Sequence, residues 1–508
     1  MKKIYLLLTV AAGILFSSCN MDLAPIGSLD DENAIESTSD LKKARNGIYE
    51  GLRRAVTGEF IYYTDIQMDQ FMGLTINGNQ VGSFAHGSIY SNDRDILSVW
   101  ASMYSYIADC NYLLGAAEKL LENPDLTAED LLDINRYIGE TKFARAYYYY
   151  YMFDHWCDTY KASTANDPAK GVPVVTVFNP TGDISAYPGR STVAETLALI
   201  NQDLEDAYIA LKDFEETGYT VVPMDFYVNS YVVLALQARM AFLCSDWNTT
   251  VEKCNEIIDS GIYTLATTSN YAQMWTDDNS NEIIFRPYSS NTELGIGSTG
   301  EPYISASQQS AWYIPTAEFL GLYDQTNDVR FAAFFTDYYL VANGTTYQAY
   351  VFNKYPGNQA LYQGTTNNIR NMGKPFRLSE TYLMLAEASY ELNDATTAND
   401  ALTTLRKARI KRMLGSTSYA GVELRDQIRL ERTKELIGEG FRMSDLRRWG
   451  EGFTRDSSYP ENPAVEEIFV TVDTQVEYKA GDYRYVWPIP SGEMQNNPQI
   501  RGQQNPGY

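Results

Sequence analysis

The sequence predicts a mainly α-helical protein built from paired helices. Apolar residues recur at helical spacing over much of the chain, and only short segments alternate as strands do. The clearest pair covers residues 377–414, where two apolar faces flank the polar turn ELNDATTAND, whose Asn and Asp side chains can cap a helix. Recurring pairs of this size are typical of tetratricopeptide-like hairpins, although no strict 34-residue pattern is present.

The first residues are typical of an export signal. Lys2 and Lys3 precede an apolar run too short to span a bilayer comfortably, and two serines then precede Cys19. We therefore predict a signal peptide over residues 1–18. The small pair directly before the cysteine favours lipidation of Cys19, although Phe16 departs from the usual aliphatic residue three before it; a plain signal peptide with an incidental cysteine is the alternative. Residues 19–38 read as a flexible tether, and residues 39–508 as a single domain.

Helical periodicity predicts nine helices in that domain. They lie near residues 40–56, 96–122, 130–157, 192–212, 228–244, 248–260, 377–392, 396–414 and 422–449. The long segments between them differ in character. Residues 158–190 are rich in Pro, Gly and Thr and contain GVPVVTVF as a strand candidate, and the later strings NEIIFRPY and TYQAYVFNKY are also strand-like.

Two of these segments are predicted to form inserts on a loop-rich face of the scaffold. Residues 57–95 are rich in glycine, aromatic and amide side chains, and residues 262–376 form the largest break in the helical pattern. Loops this long in a compact chain are usually functional or carry a small fold of their own.

Composition excludes several classes of function. The net charge of −25 opposes nucleic-acid binding and docking on an anionic membrane. His86 and His155 are the only histidines, so no histidine cluster for zinc exists, and no metal is expected. The string GIGSTG at residues 295–300 matches a dinucleotide fingerprint in letters, but Pro302 stands where a helix should open, so we interpret it as a loop and expect no cofactor.

Four cysteines remain beyond the export signal. Cys110, Cys157, Cys244 and Cys254 show no CxxC spacing, and three of them fall in helix-like segments. This favours buried free thiols, with one disulfide as the alternative in an exported protein.

Five consecutive tyrosines, residues 147–151, could suggest a stacking platform for a ligand. On a helix, however, five residues cover about 500° of the circumference. The rings therefore point in all directions, and the run predicts a helix packed on most sides. At the other end of the chain, Pro488 and Pro490 force extended backbone, so we expect residues 485–508 to lie across the helices as an ordered tail.

Four strings, in order along the chain, resemble the SusD/RagB family of outer-membrane lipoproteins. They are ETKFARAYYYYYMFDHW followed by GVPVV, FRLSETYLMLAEASYEL, ERTKELIGEGFRMSDLRRWG, and WPIPSGEMQNNP with QNPGY. The resemblance implies four tetratricopeptide-like helix pairs in a right-handed superhelical scaffold. It also implies a lipid-anchored protein on the outer face of the outer membrane that captures oligosaccharides, or peptides in some branches. Such proteins pass their ligand to a partner SusC-like TonB-dependent transporter.

The residues of the third string favour a structural role. Glu431, Arg432, Glu435, Glu439 and Arg442 recur at three- and four-residue spacings, which place opposite charges side by side on a helix. A charged ligand pocket is one interpretation. A buried ion-pair network that ties the last helices to the tail is the favoured one.

Sugar binding needs ring faces for stacking and planar polar groups for hydroxyls, and the two inserts supply both. Trp312 and Tyr313 precede a family-like segment and are the first candidates. The full set of predicted ligand-binding residues is Trp312, Tyr313, Tyr303, Tyr288, Asp69 and Tyr90. Trp100 and Trp275 are predicted to pack the scaffold.

The expected function is glycan binding without catalysis. A peptide-binding member of the same family is the main alternative. A glycoside hydrolase is a weaker one, because 65 acidic residues could include a catalytic pair but nothing marks one out. A pure interaction scaffold is the third.

Overall fold

The computed structural model describes residues 34–508, apart from residue 294, residues 306–309 and residue 417. The predicted signal peptide, the lipidation site Cys19 and most of the tether lie outside the described residues. So do Gln308 and Gln309, two amide side chains of the second insert.

The described residues form sixteen α-helices, which we number in chain order. They are α1 Thr38–Ala55, α2 Glu59–Gln67, α3 Gly82–Ala85, α4 Arg94–Leu121, α5 Ala128–Trp156, α6 Val193–Glu215, α7 Ser230–Leu243, α8 Trp247–Asp259, α9 Gln273–Thr276, α10 Ala317–Gly321, α11 Val329–Phe334, α12 Leu378–Glu391, α13 Ala395–Arg409, α14 Gly421–Leu436, α15 Arg442–Trp449 and α16 Ser491–Asn496. The mainly helical, tetratricopeptide-like fold class is confirmed.

Eight short strands form four antiparallel pairs in the described part of the chain. They are β1 Phe71–Gly73, β2 Ile283–Phe285, β3 Tyr313–Pro315, β4 Phe335–Ala342, β5 Thr345–Phe352, β6 Phe376–Arg377, β7 Phe453–Thr454 and β8 Glu477–Tyr478. β1 pairs with β3, β2 with β6, β4 with β5, and β7 with β8. The β4–β5 and β7–β8 pairs each join consecutive strands, whereas the β1–β3 and β2–β6 pairs join distant parts of the sequence.

Every predicted helical region contains a helix, but two details of the prediction were wrong. Residues 422–449 form two helices, α14 and α15, because Gly438 and Gly440 adopt positive φ angles of 74° and 82° between them. The string GVPVVTVF is not a strand. The first insert carries small elements of its own, namely α2, α3 and β1.

The tyrosine run is part of the core, as predicted. All five rings lie on α5 and are buried, and α5 packs against α1, α4 and α6. Some hydroxyls have specific partners: the hydroxyl of Tyr149 donates to the carbonyl of Val175 at 3.0 Å. A Cβ atom at Gly51 of α1 would lie 2.6 Å from the hydroxyl oxygen of Tyr148, so α1 approaches α5 closely there because residue 51 has no side chain.

A second hydrophobic cluster joins the later helix pairs. It includes Ala238 and Phe242 of α7, Cys254 of α8, Leu402 of α13 and Ile428 of α14. Three-residue turns connect α7 to α8 and α12 to α13, so each pair forms a helical hairpin. The capping side chains are Asp246 before α8 and Asp394 before α13.

The charged residues of the third string form a buried ion network, as predicted, but none of the salt bridges of its five predicted residues reaches residues 485–508, so the predicted connection to the tail is wrong. Glu435 of α14 lies at its centre and contacts Arg330, Arg377 and Arg409, all of which are buried. Glu282, next to β2, pairs with Arg377 and Arg409. The network therefore connects α11, β2, β6, α13 and α14.

The tail lies across the end of α5. The backbone N–H of Trp487 donates to the carbonyl of His155 at 2.7 Å, and Trp156 Nε1 donates to the carbonyl of Pro488 at 2.9 Å. The tail also contains the short helix α16, which the extended-backbone prediction missed. The four described cysteines are free thiols, and burial raises the pKa of Cys157 to about 12. Among the described residues, no helix is long and apolar enough to cross a bilayer.

Candidate ligand-binding face

The partly exposed face around β1 and β3 is the candidate ligand-binding face. In this pair Met72 lies opposite Ile314, and Gly73 lies opposite Tyr313. Beyond the strands, the N–H of Leu74 donates to the carbonyl of Trp312 at 2.8 Å. On the other edge of β1, the N–H of Val470 donates to the carbonyl of Gly73 at 2.9 Å. Three segments that are distant in sequence therefore lie side by side.

Trp312 is held firmly at the edge of this face. Its N–H donates to the carbonyl of Pro302 at 2.9 Å, and its carbonyl accepts from Leu74. The indole is half-buried and packs against the main core. A ring with a fixed backbone and an accessible part is suited to stacking, because little conformational entropy is lost on binding.

The two tyrosines predicted beside Trp312 are core residues in this structure. Tyr303 is fully buried, with its ring centroid 4.5 Å from that of Phe71 and 5.0 Å from that of Phe352. Tyr313 is also fully buried, and its hydroxyl donates to the carbonyl of Gln80 at 2.5 Å. Neither ring can stack on a ligand while these contacts persist. They support the face from below, and burial raises the pKa of Tyr313.

Asp69, also predicted as a ligand contact, is a buried partner of an arginine. Nε of Arg442 donates to Oδ1 of Asp69 at 2.9 Å, and Nη2 donates to Oδ2 at 2.5 Å. This bidentate pair connects the start of β1 to α15. Burial raises the pKa of the nearby Glu318 carboxyl, and the negative charge of Asp69 raises it further. Asp69 therefore positions the face and does not present free carboxylate oxygens.

The turn between β1 and α3 is backbone-strained. Asn79 and Val81 have positive φ angles of 64° and 57°, and Val81 is β-branched, for which this region is unusual. Such conformations cost about 1–3 kcal/mol each and cluster at functional sites. Asn79 is exposed, so the N–H₂ group of its carboxamide is available, whereas its Oδ1 atom contacts His86.

A histidine–aspartate pair fastens the same turn. Nδ1 of His86 lies 2.5 Å from Oδ1 of Asp473, and Nε2 lies 3.0 Å from Oδ1 of Asn79. Asp473 is buried, whereas the His86 side chain is 20% exposed. A Cβ atom at Gly73 would lie 2.2 Å from Oδ2 of Asp473, so only glycine fits at that position of β1. The sequence reasoning missed this pair, since 387 residues separate its members.

The remaining predicted residues, Tyr288 and Tyr90, are exposed but lie against other neighbours. Tyr90 is 63% exposed, next to Ser91, whose carbonyl accepts from the N–H of Ser491 in the tail. Tyr288 is 46% exposed and its ring lies edge-on to Phe226. Of the predicted residues, Tyr303 and Tyr313 lie beside Trp312, whereas Asp69 lies at the other end of the β1–β3 pair, next to Thr316.

Other predicted packing roles agree with the structure. Trp100 and Trp275 are both buried, so their scaffold role is confirmed. In the first insert, Tyr62 and Tyr63 are buried as well, whereas Asn79 and Tyr90 are exposed. In the described part of the chain, no group of three or more His, Cys, Asp or Glu side chains is placed to hold a metal ion.

Two family models match most of the chain. One, described as the SusD family, matches residues 281–508, and the other, described as "Starch-binding associating with outer membrane", matches residues 21–239. A SusD-like protein of Formosa agariphila is 23% identical over 556 residues, covering 100% of this chain and 99% of that protein.

Solved structures share the fold. A SusD superfamily protein from Bacteroides thetaiotaomicron superposes with a TM-score of 0.75 at 23% identity, covering 92% of this chain and 100% of that one. A structure described as a laminarin-binding SusD-like protein superposes with a TM-score of 0.68 at 20% identity, covering 93% of this chain and 100% of that one.

Proposed function

The chain belongs to the SusD family, and from that premise we propose that it captures oligosaccharides at the bacterial surface and delivers them to a SusC-like TonB-dependent transporter. The family is carbohydrate-binding and associates with the outer membrane. In this proposal Cys19 carries the lipid anchor and residues 19–38 tether the domain. The ligand is bound and released without chemical change.

Trp312 is the observation that carries the proposal. Its indole is half-buried on a backbone anchored from two sides, next to a strained turn that exposes the carboxamide of Asn79. An apolar ring face beside a planar amide matches a pyranose, which presents C–H groups on its faces and hydroxyls at its rim. Tyr288 and Tyr90 remain proposed contacts as exposed rings, whereas Tyr303, Tyr313 and Asp69 are proposed to support the face.

The test is a ligand screen with the chain from residue 20 onward, which contains every described element. Native affinity gels containing laminarin, starch or other soluble polysaccharides, and calorimetry with peptides, separate glycan from peptide binding. Retardation with unchanged polymer length supports the proposal. Shortened polymer would instead support a hydrolase, and retention of neither ligand class would leave an interaction scaffold.

Replacement of Trp312 by alanine tests the site itself. We expect the affinity for the retained glycan to fall by about tenfold or more, since loss of a stacking ring removes on the order of 1.5 kcal/mol. Trp247 is the matched control, because it is also a half-buried tryptophan but packs in the second cluster against Phe242. If Trp312→Ala and Trp247→Ala bind equally well, Trp312 does not contact the ligand.

A further inference from the structure

A second exposed aromatic cluster lies where the segment between α6 and α7 meets the segment after β2. Phe226 is 36% exposed, Tyr227 40% and Tyr288 46%. The ring centroids of Phe226 and Tyr288 are 5.1 Å apart, and their planes meet at 73°. The two rings form an L-shaped surface, which we call the aromatic corner.

The backbone under the aromatic corner is rigid. Asp225 bridges to Phe285 of β2, and the N–H of Arg286 donates to the carbonyl of Asp225 at 3.2 Å. The carboxylate of Asp225 accepts from the hydroxyl of Tyr219 at 2.8 Å and from the N–H of Tyr227 at 3.2 Å. The two segments that carry the rings are therefore fastened to each other.

Two arginines, the half-buried Arg286 and the buried Arg53, contact the segments that carry these rings. The guanidinium carbon of Arg286 lies 5.1 Å from the centroid of the Phe226 ring. Arg53, which is 6% exposed, donates from Nη1 to the carbonyl of Tyr288 and from Nη2 to Oε1 of Glu293, each at 3.0 Å. These contacts fix the segments that carry the rings, so little conformational entropy would be lost when a ligand stacks on them.

We propose that the aromatic corner is a second glycan-contact site that recognises one or two sugar residues of a longer chain. Its neighbouring residues differ from those of Trp312. This inference rests on the proposed function. The segment from residue 297 to residue 302 runs between the two sites: Gly297 contacts the loop before α2, and Pro302 accepts from Trp312. A glycan long enough to reach both would gain from effective concentration as well as from contacts.

The surroundings of the corner fit a sugar. Exposed amide, hydroxyl and carboxylate side chains follow Tyr288 after two serines, at Asn291, Thr292 and Glu293. Planar rings flanked by hydrogen-bonding side chains suit a ligand with C–H faces and a hydroxyl rim. An apolar ligand would leave these polar groups without new partners.

The size of the corner argues against a protein partner. Aromatic side chains present about 150–250 Å² each, so the exposed fractions of the two rings amount to roughly 120–200 Å². A stable protein interface needs about 800 Å² on each partner. The exposed ring area suits one or two sugar units.

The test compares long and short ligands on the same variants. We use the chain from residue 20 onward with laminarin and with laminarin oligosaccharides of two to four units, and with starch and maltooligosaccharides in parallel. For the retained glycan, we expect the double variant Phe226→Ala/Tyr288→Ala to lose about tenfold in affinity for the polymer. Short oligosaccharides can occupy the Trp312 face alone. The double variant should therefore bind them with an affinity within twofold of that of the unsubstituted chain.

Controls separate a lost contact from a lost fold. Phe226→Tyr keeps the ring and should bind as the unsubstituted chain does. Phe178→Ala removes another exposed ring, one that lies edge-on to Tyr112 at 5.2 Å, and should leave binding unchanged. Equal melting temperatures for all variants exclude unfolding as the cause.

Each outcome decides. If the unsubstituted chain binds the polymer and the double variant binds it equally well, the aromatic corner is not a glycan site, while the proposed function stands. If the double variant loses affinity for the polymer and for the short oligosaccharides alike, the corner and Trp312 belong to a single site. If no glycan binds the unsubstituted chain, both this inference and the proposed function fail.

Discussion

The substitution Glu435→Ala tests whether the buried ion network holds the fold together. Oε1 of Glu435 accepts from Arg377 at 2.9 Å, and Oε2 accepts from Arg409 at 2.9 Å and from Arg330 at 3.1 Å. All four side chains are at most 1% exposed. Removal of this carboxylate therefore leaves three buried guanidinium groups short of one shared partner.

The size of the loss in the free energy of unfolding depends on which carboxylate partners the three arginines retain. Hydrogen bonds to charged groups contribute about 1.5–3 kcal/mol each, so three would suggest a loss on the order of 4–9 kcal/mol. Arg330 retains Asp328, however, and both Arg377 and Arg409 retain Glu282. We therefore expect the free energy of unfolding to fall by about 3–5 kcal/mol, the usual cost of breaking a buried ion pair.

Urea unfolding followed by tryptophan fluorescence measures this change, and calorimetry checks it. At about 2.1 cal/mol/K of unfolding entropy per residue, a loss of about 4 kcal/mol corresponds to a melting temperature lower by about 4 °C. The variant Glu435→Gln keeps the volume but points an amide N–H₂ group at arginines. The free energy of unfolding of Glu435→Gln should therefore fall by nearly as much as that of Glu435→Ala.

Asp426→Ala is the matched control on the same helix. Its partner Arg425 lies 2.8 Å away, but the two side chains are 36% and 55% exposed. Such a surface pair contributes about 0–1 kcal/mol. If Glu435→Ala costs no more than Asp426→Ala, the network does not stabilise the fold and the reasoning above is wrong.

Two further predictions concern the same chain. Burial alone would raise the pKa of Glu431 and Glu435, but the neighbouring arginines lower both pKa values below the usual value. The unfolded chain therefore binds more protons than the folded chain below about pH 4.5, and the free energy of unfolding should fall as the pH decreases through that range. Urea midpoints measured from pH 7 to pH 3 would record this fall. In the tail, Nδ2 of Asn505 donates to the carbonyls of Trp156 and Trp487 at 3.0 and 2.7 Å. Asn505→Ala leaves both buried carbonyls without this donor and should lower the free energy of unfolding by about 1–3 kcal/mol, whereas an unchanged urea midpoint would show that the tail adds nothing.

The helical scaffold could be predicted from the sequence because its signals are local. The 3.6-residue period, the capping residues Asp246 and Asp394 and the polar turns all lie within a few residues of the helices they define. The break between α14 and α15 was missed although Gly438 and Gly440 are visible in the sequence. A helix tolerates an isolated glycine, so the pattern alone does not decide the boundary.

The ligand-binding face could not be predicted residue by residue because its contacts are not local. Trp312 and Tyr313 are neighbours in sequence, yet one is half-buried and the other is in the core. Alternate residues of a strand point to opposite faces, so exposure depends on the pairing of β3 with β1, some 240 residues earlier. One usable signal was present in the sequence. Phe226 and Tyr227 form an aromatic pair in the connection between α6 and α7, where helix packing does not require aromatic side chains.

Under the proposed function, the ion network serves ligand binding as well as stability. Arg330, Lys354 and Glu282 belong to the large insert, and the first two contact α14 or the residues that follow it: Arg330 contacts Glu435, and Nζ of Lys354 donates to the carbonyl of Ile437 at 2.8 Å. Charged hydrogen bonds are directional, so they hold the insert in one orientation, which apolar packing alone does less well. A face fastened in this way loses little entropy when a ligand binds, which favours capture of flexible chains by few contacts. The buried charges therefore hold the insert that carries Trp312 in one position.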